Sequence, residues 1–115
     1  MTTHDVDEVV VLKPQSDLCE GDECDEMERM LEQLARQGRP VIVDLRETRF
    51  LTAHALGVLA QAARSASAHG GRIALCGAAR LERWLLELTG LTGTMAVCAN
   101  EEIALQHLRA VRAVA

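Results

Sequence analysis

The stretch 41–59 most constrains the fold, because a short apolar run leads through a charged crossing into a long Ala-rich segment. Val41–Leu45 has the apolar character of a buried strand, and Phe50-Leu51 resumes that character after the crossing. Thr52 then opens a helix that runs to about His69. In α/β proteins, a strand that feeds a helix places backbone N–H groups and partner contacts at the junction. We therefore take this junction as the candidate functional site.

The rest of the chain repeats the alternation of strand and helix. Apolar runs predict strands, the first of which could be an edge: Val6–Lys13, Pro40–Leu45, Arg72–Cys76 and Met95–Cys98. Helical periodicity and end signals predict four helices. The first passes through Met27, Met30, Leu31 and Leu34 and ends at Gly38, and the second runs from the N-cap Thr52 to the stop at Gly70-Gly71. The third covers Ala79–Leu88, and the fourth covers Glu101–Ala113 and is capped by Asn100. This order predicts a parallel or mostly parallel sheet with right-handed crossovers.

Length and composition predict one globular domain over residues 1–115, with an N-terminal tail at 1–5 and an acidic loop at 15–25. A net charge of −5 and an aromatic content of 2% argue against nucleic-acid binding, which needs a basic face or stacking rings. The chain shows neither the apolar core of a signal peptide nor an apolar run long enough to span a bilayer. We expect a cytoplasmic protein with reduced cysteines.

The search for catalytic motifs favours a protein that is not an enzyme and needs no cofactor. No glycine-rich phosphate loop follows a strand, no serine lies in a nucleophile elbow, and the four histidines are scattered. Asp44 ends a strand, where a receiver domain holds its phosphoacceptor. However, such a domain needs a later lysine, and Lys13 is the only lysine of the chain. We interpret Asp44 as a turn or capping residue.

The cysteines provide a weak metal hypothesis. Cys19 and Cys24 share an acidic loop at a spacing that zinc sites use, but a second ligand pair is missing. The favoured interpretation is a solvated acidic loop that leads into a helix. Cys76 and Cys98 end apolar runs and are expected to be small core residues.

Five pieces in a fixed order connect the chain with a known family: Val41–Leu45, Phe50-Leu51, Leu56–Leu59, the Ala- and Arg-rich helix up to Gly70-Gly71-Arg72, and Leu88–Leu91. Together they resemble a STAS domain, the domain of bacterial anti-sigma factor antagonists. The resemblance runs from about Val9 to Leu108. It implies an α/β domain with a four- or five-stranded mixed sheet packed against about four helices, mainly on one side. It also implies an N-terminal strand that is not parallel to all the others.

The resemblance also implies a function at the junction. The family's motif after the Phe and one apolar residue is Asp-Ser-Ser/Thr-Gly-Leu-Gly, in which a serine is phosphorylated by an anti-sigma factor that is itself a kinase. Set on Leu56-Gly57, the motif places Thr52 at the Asp, Ala53 and His54 at the two hydroxyl residues, and Ala55 at the Gly. Ala53 and His54 cannot act as that acceptor, so the usual switch is expected to be lost. Thr52 is interpreted as an N-cap rather than a phosphoacceptor.

The resulting functional hypothesis is a non-enzymatic regulatory module. Its partner would be of the anti-sigma factor/serine kinase type, and it would bind through Thr52, Ala53, His54, Ala55, Leu56 and Gly57. The alternative is an accessory or scaffold subunit of a stress-signalling complex or of a phospholipid-transport ATPase. An exposed edge at Val9–Leu12 could also support a homodimer.

Overall fold

The computed structural model describes residues 2–15, 22–48, 52–77 and 96–114. Its elements in chain order are β1 (Thr2–Val6), β2 (Val9–Lys13), α1 (Asp22–Arg36), β3 (Val41–Asp44), α2 (Ala53–Ala68), β4 (Ile73–Cys76), β5 (Ala96–Cys98) and α3 (Glu101–Val114). The predicted helix over Ala79–Leu88 lies outside the described residues.

The five strands form one mixed sheet in the order β1-β2-β3-β4-β5. β1 is antiparallel to β2 with Val6 opposite Val9, and the other neighbouring pairs are parallel. β2, β3 and β4 are buried almost throughout, as expected for parallel strands covered on both faces. The predicted mixed sheet with a differently oriented N-terminal strand is thereby confirmed.

Helices cover both faces of the sheet. α1 and α2 pack on one face, and the buried side chains there include Val10, Leu12, Met27, Leu31, Val41, Val43, Leu59, Ala63 and Leu75. α3 packs on the other face against the alternate strand residues, with Val9, Val11, Ile42, Ala74, Cys76, Ala104 and Leu108 in the core. The described residues contain three helices, slightly fewer than the four that were predicted.

Local sequence signals set the helix ends where they were predicted. Thr52 caps α2, and the Oδ1 atom of Asn100 accepts a hydrogen bond from the backbone N–H of Ile103 at 2.9 Å. Gly38 and Gly70 follow α1 and α2 with φ of +66° and +79°, a left-handed conformation that favours glycine.

The N-terminal prediction is wrong in two respects. Residues 2–6 form β1, not a tail, and the predicted strand Val6–Lys13 is a hairpin that turns at Asp7, where φ is +56°. β2 therefore has a hydrogen-bonded neighbour on each side, so Val9–Leu12 is not an exposed edge. β1 was missed because its residues are exposed or half-buried and carry no apolar alternation.

The predicted acidic loop at 15–25 is also too long, because α1 already begins at Asp22. Residues 16–21, including Cys19, lie outside the described residues. Cys24 lies in the first turn of α1, and its side chain is 1% exposed. The interpretation of Cys24 as part of a solvated loop is wrong, because the helix turns its side chain into the core.

Candidate functional site

The candidate site lies at the edge of the sheet where the parallel strands end. The register pairs Asp44 at the end of β3 with Cys76 at the end of β4, and Cys76 with Cys98 at the end of β5. Among the described helices, α2 follows the carboxyl end of β3, and α3 follows that of β5, with Glu101 in its first turn beside Asp44. Open α/β sheets commonly place their sites in such a position.

Thr52 and the first turn of α2 form the part of this edge that the sequence singled out. Thr52 has an extended backbone, and its Oγ1 atom accepts a hydrogen bond from the N–H of Ala55 at 3.1 Å. The carbonyl of Thr52 accepts from the N–H of Leu56 at 3.0 Å. This is the geometry of an N-cap, which satisfies N–H groups that have no partner inside the helix. The N-cap prediction is confirmed.

The remaining residues of the segment 52–57 divide into two groups. His54 and Gly57 are exposed, and a Cβ atom built on Gly57 meets no atom within 4 Å. Ala55 and Leu56 are buried and pack into the core beneath α2. Ala53 is the first residue of the helix. A protein that approaches this turn can therefore reach Thr52, His54 and Gly57, whereas Ala55 and Leu56 support the turn from inside.

Asp44 has the turn role that was predicted for it. Its side chain is fully buried, and its Oδ1 atom accepts a hydrogen bond from the N–H of Arg46 at 2.9 Å. Its Oδ2 atom lies 3.5 Å from the Arg46 guanidinium. This is an Asx-type turn at the end of β3.

Glu101 at the start of α3 meets the same aspartate on the face of the sheet that α3 covers. A hydrogen bond between the two side chains, followed by burial and the negative charge of Asp44, raises the pKa of the Glu101 carboxyl. The Nε2 atom of His4 lies 3.4 Å from the Glu101 carboxylate, and the Arg46 guanidinium lies 3.9 Å from it. The charge of His4 partly opposes the rise in the pKa of Glu101. The pair links β1, β3 and α3. Sequence analysis missed it because its members are far apart in the chain.

Among the described cysteines, Cys24 and Cys76 are buried and Cys98 is half-buried. Cys76 is fully buried, and burial together with the charges of Asp44 and Glu101 raises the pKa of its thiol to about 12. Its role as a small core residue is confirmed. Cys98 is half-buried at the end of β5. Since Cys24 is in the core, the geometry gives no support to a metal site formed by Cys19 and Cys24.

A second group of polar side chains converges beside the predicted site. Asp25 and Glu28 on α1 and His54 on α2 are exposed, and each offers a ligand atom within 4.8 Å of those of the other two. Below them, a shallow groove of about 110 Å³ runs between the helices, lined by Glu28, Glu32, Val58, Gln61, Ala62 and Ser65. Sequence analysis considered His54 as a docking residue and not as a metal ligand, because its neighbours come from another helix. The only signal for this cluster in the sequence was the three-residue spacing between Asp25 and Glu28.

Comparison with known families decides the identity of the fold. Residues 2–108 match the family model described as Mlab, STAS domain. The chain belongs to the STAS domain family. A sequence comparison with curated proteins finds no match.

Solved STAS structures agree with this assignment. A protein from Thermotoga maritima, described as a candidate anti-sigma factor antagonist, is 21% identical with a TM-score of 0.83, over 94% of this chain and 93% of that one. The anti-sigma factor antagonist SpoIIAA in its unphosphorylated form is 20% identical with a TM-score of 0.74, over 94% and 96% of the two chains. A protein of the stressosome, described as a signal integration and transduction hub, is 19% identical with a TM-score of 0.72, over 96% and 98%. At these identities the likeness concerns the STAS fold.

No helix in the described ranges has both the length and the apolar character needed to cross a membrane.

Proposed function

We propose that this STAS domain is a non-enzymatic regulatory module that binds a protein partner of the anti-sigma factor/serine kinase type. The observation that carries the proposal is the first turn of α2. It presents Thr52, His54 and Gly57 at the strand-end edge of the sheet, on a backbone held by an N-cap and a buried core. Such a turn is exposed and rigid, so a partner can bind it without first ordering a loop.

The segment 52–57 lacks the serine on which the usual switch depends. Thr52 carries its only hydroxyl, and that oxygen accepts the N–H of Ala55. Phosphorylation would add nearly two negative charges and three acceptor oxygens. We propose that this chemistry is lost here and that docking is controlled in another way.

A kinase assay tests the loss of the switch. The protein is incubated with ATP and a serine kinase that acts on STAS domains, and phosphate is located by mass spectrometry. We expect no phosphate on residues 52–57. The variant Ala53→Ser restores a hydroxyl at an acceptor position and serves as the positive control. Stoichiometric phosphate on Thr52 of the unaltered protein would show that the switch persists.

A binding assay tests the docking surface. Gly57→Arg places a long cation where the helix surface is open, so it should block docking without disturbing the core. The control Glu102→Arg makes a comparable exposed change on α3, the helix that covers the other face of the sheet. Pull-down from the native host should lose the partner with Gly57→Arg and keep it with Glu102→Arg. Equal recovery with both variants would place docking elsewhere.

The second candidate function is an accessory or scaffold subunit of a stress-signalling complex or of a phospholipid-transport ATPase. The similarity to a stressosome protein favours keeping this candidate, and the description of the matched family model mentions neither a sigma factor nor a kinase. The same pull-down separates the candidates. A transporter subunit would co-purify with a nucleotide-binding subunit, whereas a sigma regulator would co-purify with a kinase. Genes adjacent to this one would give an independent answer.

A further inference from the structure

We propose that Asp25, Glu28 and His54 form a binding site for a divalent transition-metal ion, of which Zn²⁺ is the representative. Two carboxylates from α1 and one imidazole from α2 supply a mixed oxygen and nitrogen ligand set. This set suits zinc and its first-row neighbours, whereas Ca²⁺ and Mg²⁺ prefer oxygen ligands alone. Metal binding at this site does not require the proposed docking function, although His54 belongs to both.

The distances are compatible with coordination of a single ion. The three ligand atoms lie within 4.8 Å of one another. Ligands placed ~2.0–2.2 Å from a zinc ion are at most about 4.4 Å apart, so small rotations would bring these atoms into range. All three side chains are exposed and can make such rotations without disturbing packing.

The backbone that carries the ligands is held in place by the core. Asp25 and Glu28 are one turn apart on the same face of α1, and α1 and α2 share one hydrophobic core through buried residues such as Met27 and Leu59. The distance between the ligand-bearing turns is therefore set by packing and does not depend on the ion.

The ion would have two consequences at this surface. Three protein ligands leave coordination positions open to solvent, the arrangement of an ion that can accept a further ligand. The ion would also join the first turn of α2 to α1 and neutralise the two carboxylate charges near Gly57. Metal binding is thus a means of changing this surface where a serine acceptor is missing.

The test measures metal binding by the isolated protein, so its outcome does not depend on a partner. Metal-free protein is titrated with Zn²⁺ by calorimetry, and we expect one ion per chain. His54→Gln and Glu28→Gln should each weaken binding by at least about tenfold, which is the effect of losing even an outer-shell partner. His69→Gln and Glu32→Gln are the matched controls, since both residues are exposed and lie outside the ligand set: His69 is the C-cap of α2, and Glu32 lies on α1. Both should bind like the unaltered protein.

Co²⁺ provides a spectroscopic check on the ligands. Nitrogen and oxygen ligation gives weak visible bands, whereas a cysteine ligand adds an intense near-ultraviolet charge-transfer band. We expect no such band, and we expect Cys19→Ser to leave the affinity unchanged. The proposal is overturned if zinc does not bind, if His54→Gln binds as tightly as the unaltered protein, or if the cobalt spectrum shows thiolate. Unchanged circular dichroism and melting temperature of the metal-free variants would establish that each is folded.

Discussion

At the scale of single residues, Gly77 and Asp44 show how closely the strand-end edge is packed. Gly77 has φ of +71°, and a Cβ atom on it would lie 2.8 Å from the Asp44 Oδ1 atom and 2.9 Å from the Arg46 backbone nitrogen. The position therefore favours glycine for two reasons: its φ is positive, and there is no room for a side chain. The buried Asp44 turn depends on this glycine.

Gly77→Ala should lower the free energy of unfolding by about 2–4 kcal/mol, because left-handed strain and a steric clash both contribute. Gly70→Ala is the matched control: its φ is +79°, but its Cβ would meet no atom within 4 Å. Gly70→Ala should lower the free energy of unfolding by only about 1–2 kcal/mol, because only the backbone strain contributes. Urea denaturation measures both values. Equal losses would show that the close approach to Asp44 is relieved without cost.

Thr52 is the other residue with a clear individual role, since its hydroxyl caps α2. Thr52→Ala should destabilise the protein by about 1 kcal/mol, the typical cost of losing an N-cap oxygen. Thr52→Ser keeps that oxygen and should be nearly neutral. Thermal or urea unfolding checks the pair. If alanine and serine behave alike, the Thr52 hydroxyl contributes nothing to stability.

At the scale of elements, α3 is joined to the sheet by a carboxyl pair. Glu101, in the first turn of α3, hydrogen-bonds Asp44 at the end of β3, and this raises the pKa of Glu101. A group with a raised pKa in the folded protein is easier to ionise after unfolding. Its contribution to stability is therefore complete below its ordinary value of 4.5 and is lost as the pH rises through the raised value.

Glu101→Gln should remove this pH dependence, because glutamine can donate to Asp44 but cannot ionise. At neutral pH the variant should melt a few degrees higher than the unaltered protein, and the difference should disappear below pH 4.5. Glu102→Gln, an exposed neighbour in the same first turn, controls for the general effect of a carboxylate near a helix N-terminus. A difference that is constant with pH would contradict the assigned pKa direction.

At the scale of the whole molecule, β1 completes the sheet by covering β2. Without β1, the backbone of Val9–Leu12 would expose unpaired N–H and C=O groups beside fully apolar side chains. α3 also reaches this end of the sheet, because Arg109 forms an ion pair with Asp7 in the turn between β1 and β2. The N-terminal hairpin thus protects an aggregation-prone strand.

Deletion of residues 2–6 should therefore increase self-association relative to the full chain. We expect sedimentation velocity to give larger species for the deletion variant than for the full chain at the same concentration. Arg109→Ala, which loses only a surface ion pair, should sediment like the full chain and lower the free energy of unfolding by less than about 1 kcal/mol. A deletion variant that sediments like the full chain would show that β2 is protected by other parts of the chain.

The fold was largely predictable because its signals are local. β3, β4 and α2 were placed within one or two residues from β-branched runs, glycine stops and the N-cap Thr52, each of which acts over a single turn or strand. Two errors, β1 and the start of α1, both fell on polar segments. There the sequence lacks apolar periodicity, so only pairing with β2 or packing of Cys24 reveals the structure.

The alternation of strands and helices, the STAS resemblance and the lack of a serine in segment 52–57 could all be read from the sequence. Only the tertiary structure decided which residues meet at the strand-end edge. Asp44 meets Glu101 on the face of the sheet that α3 covers, and His54 of α2 meets Asp25 and Glu28 of α1. The reason is physical: secondary structure follows from interactions between near neighbours in the chain, whereas a site needs polar groups from separate elements. The packing of the core brings those groups together.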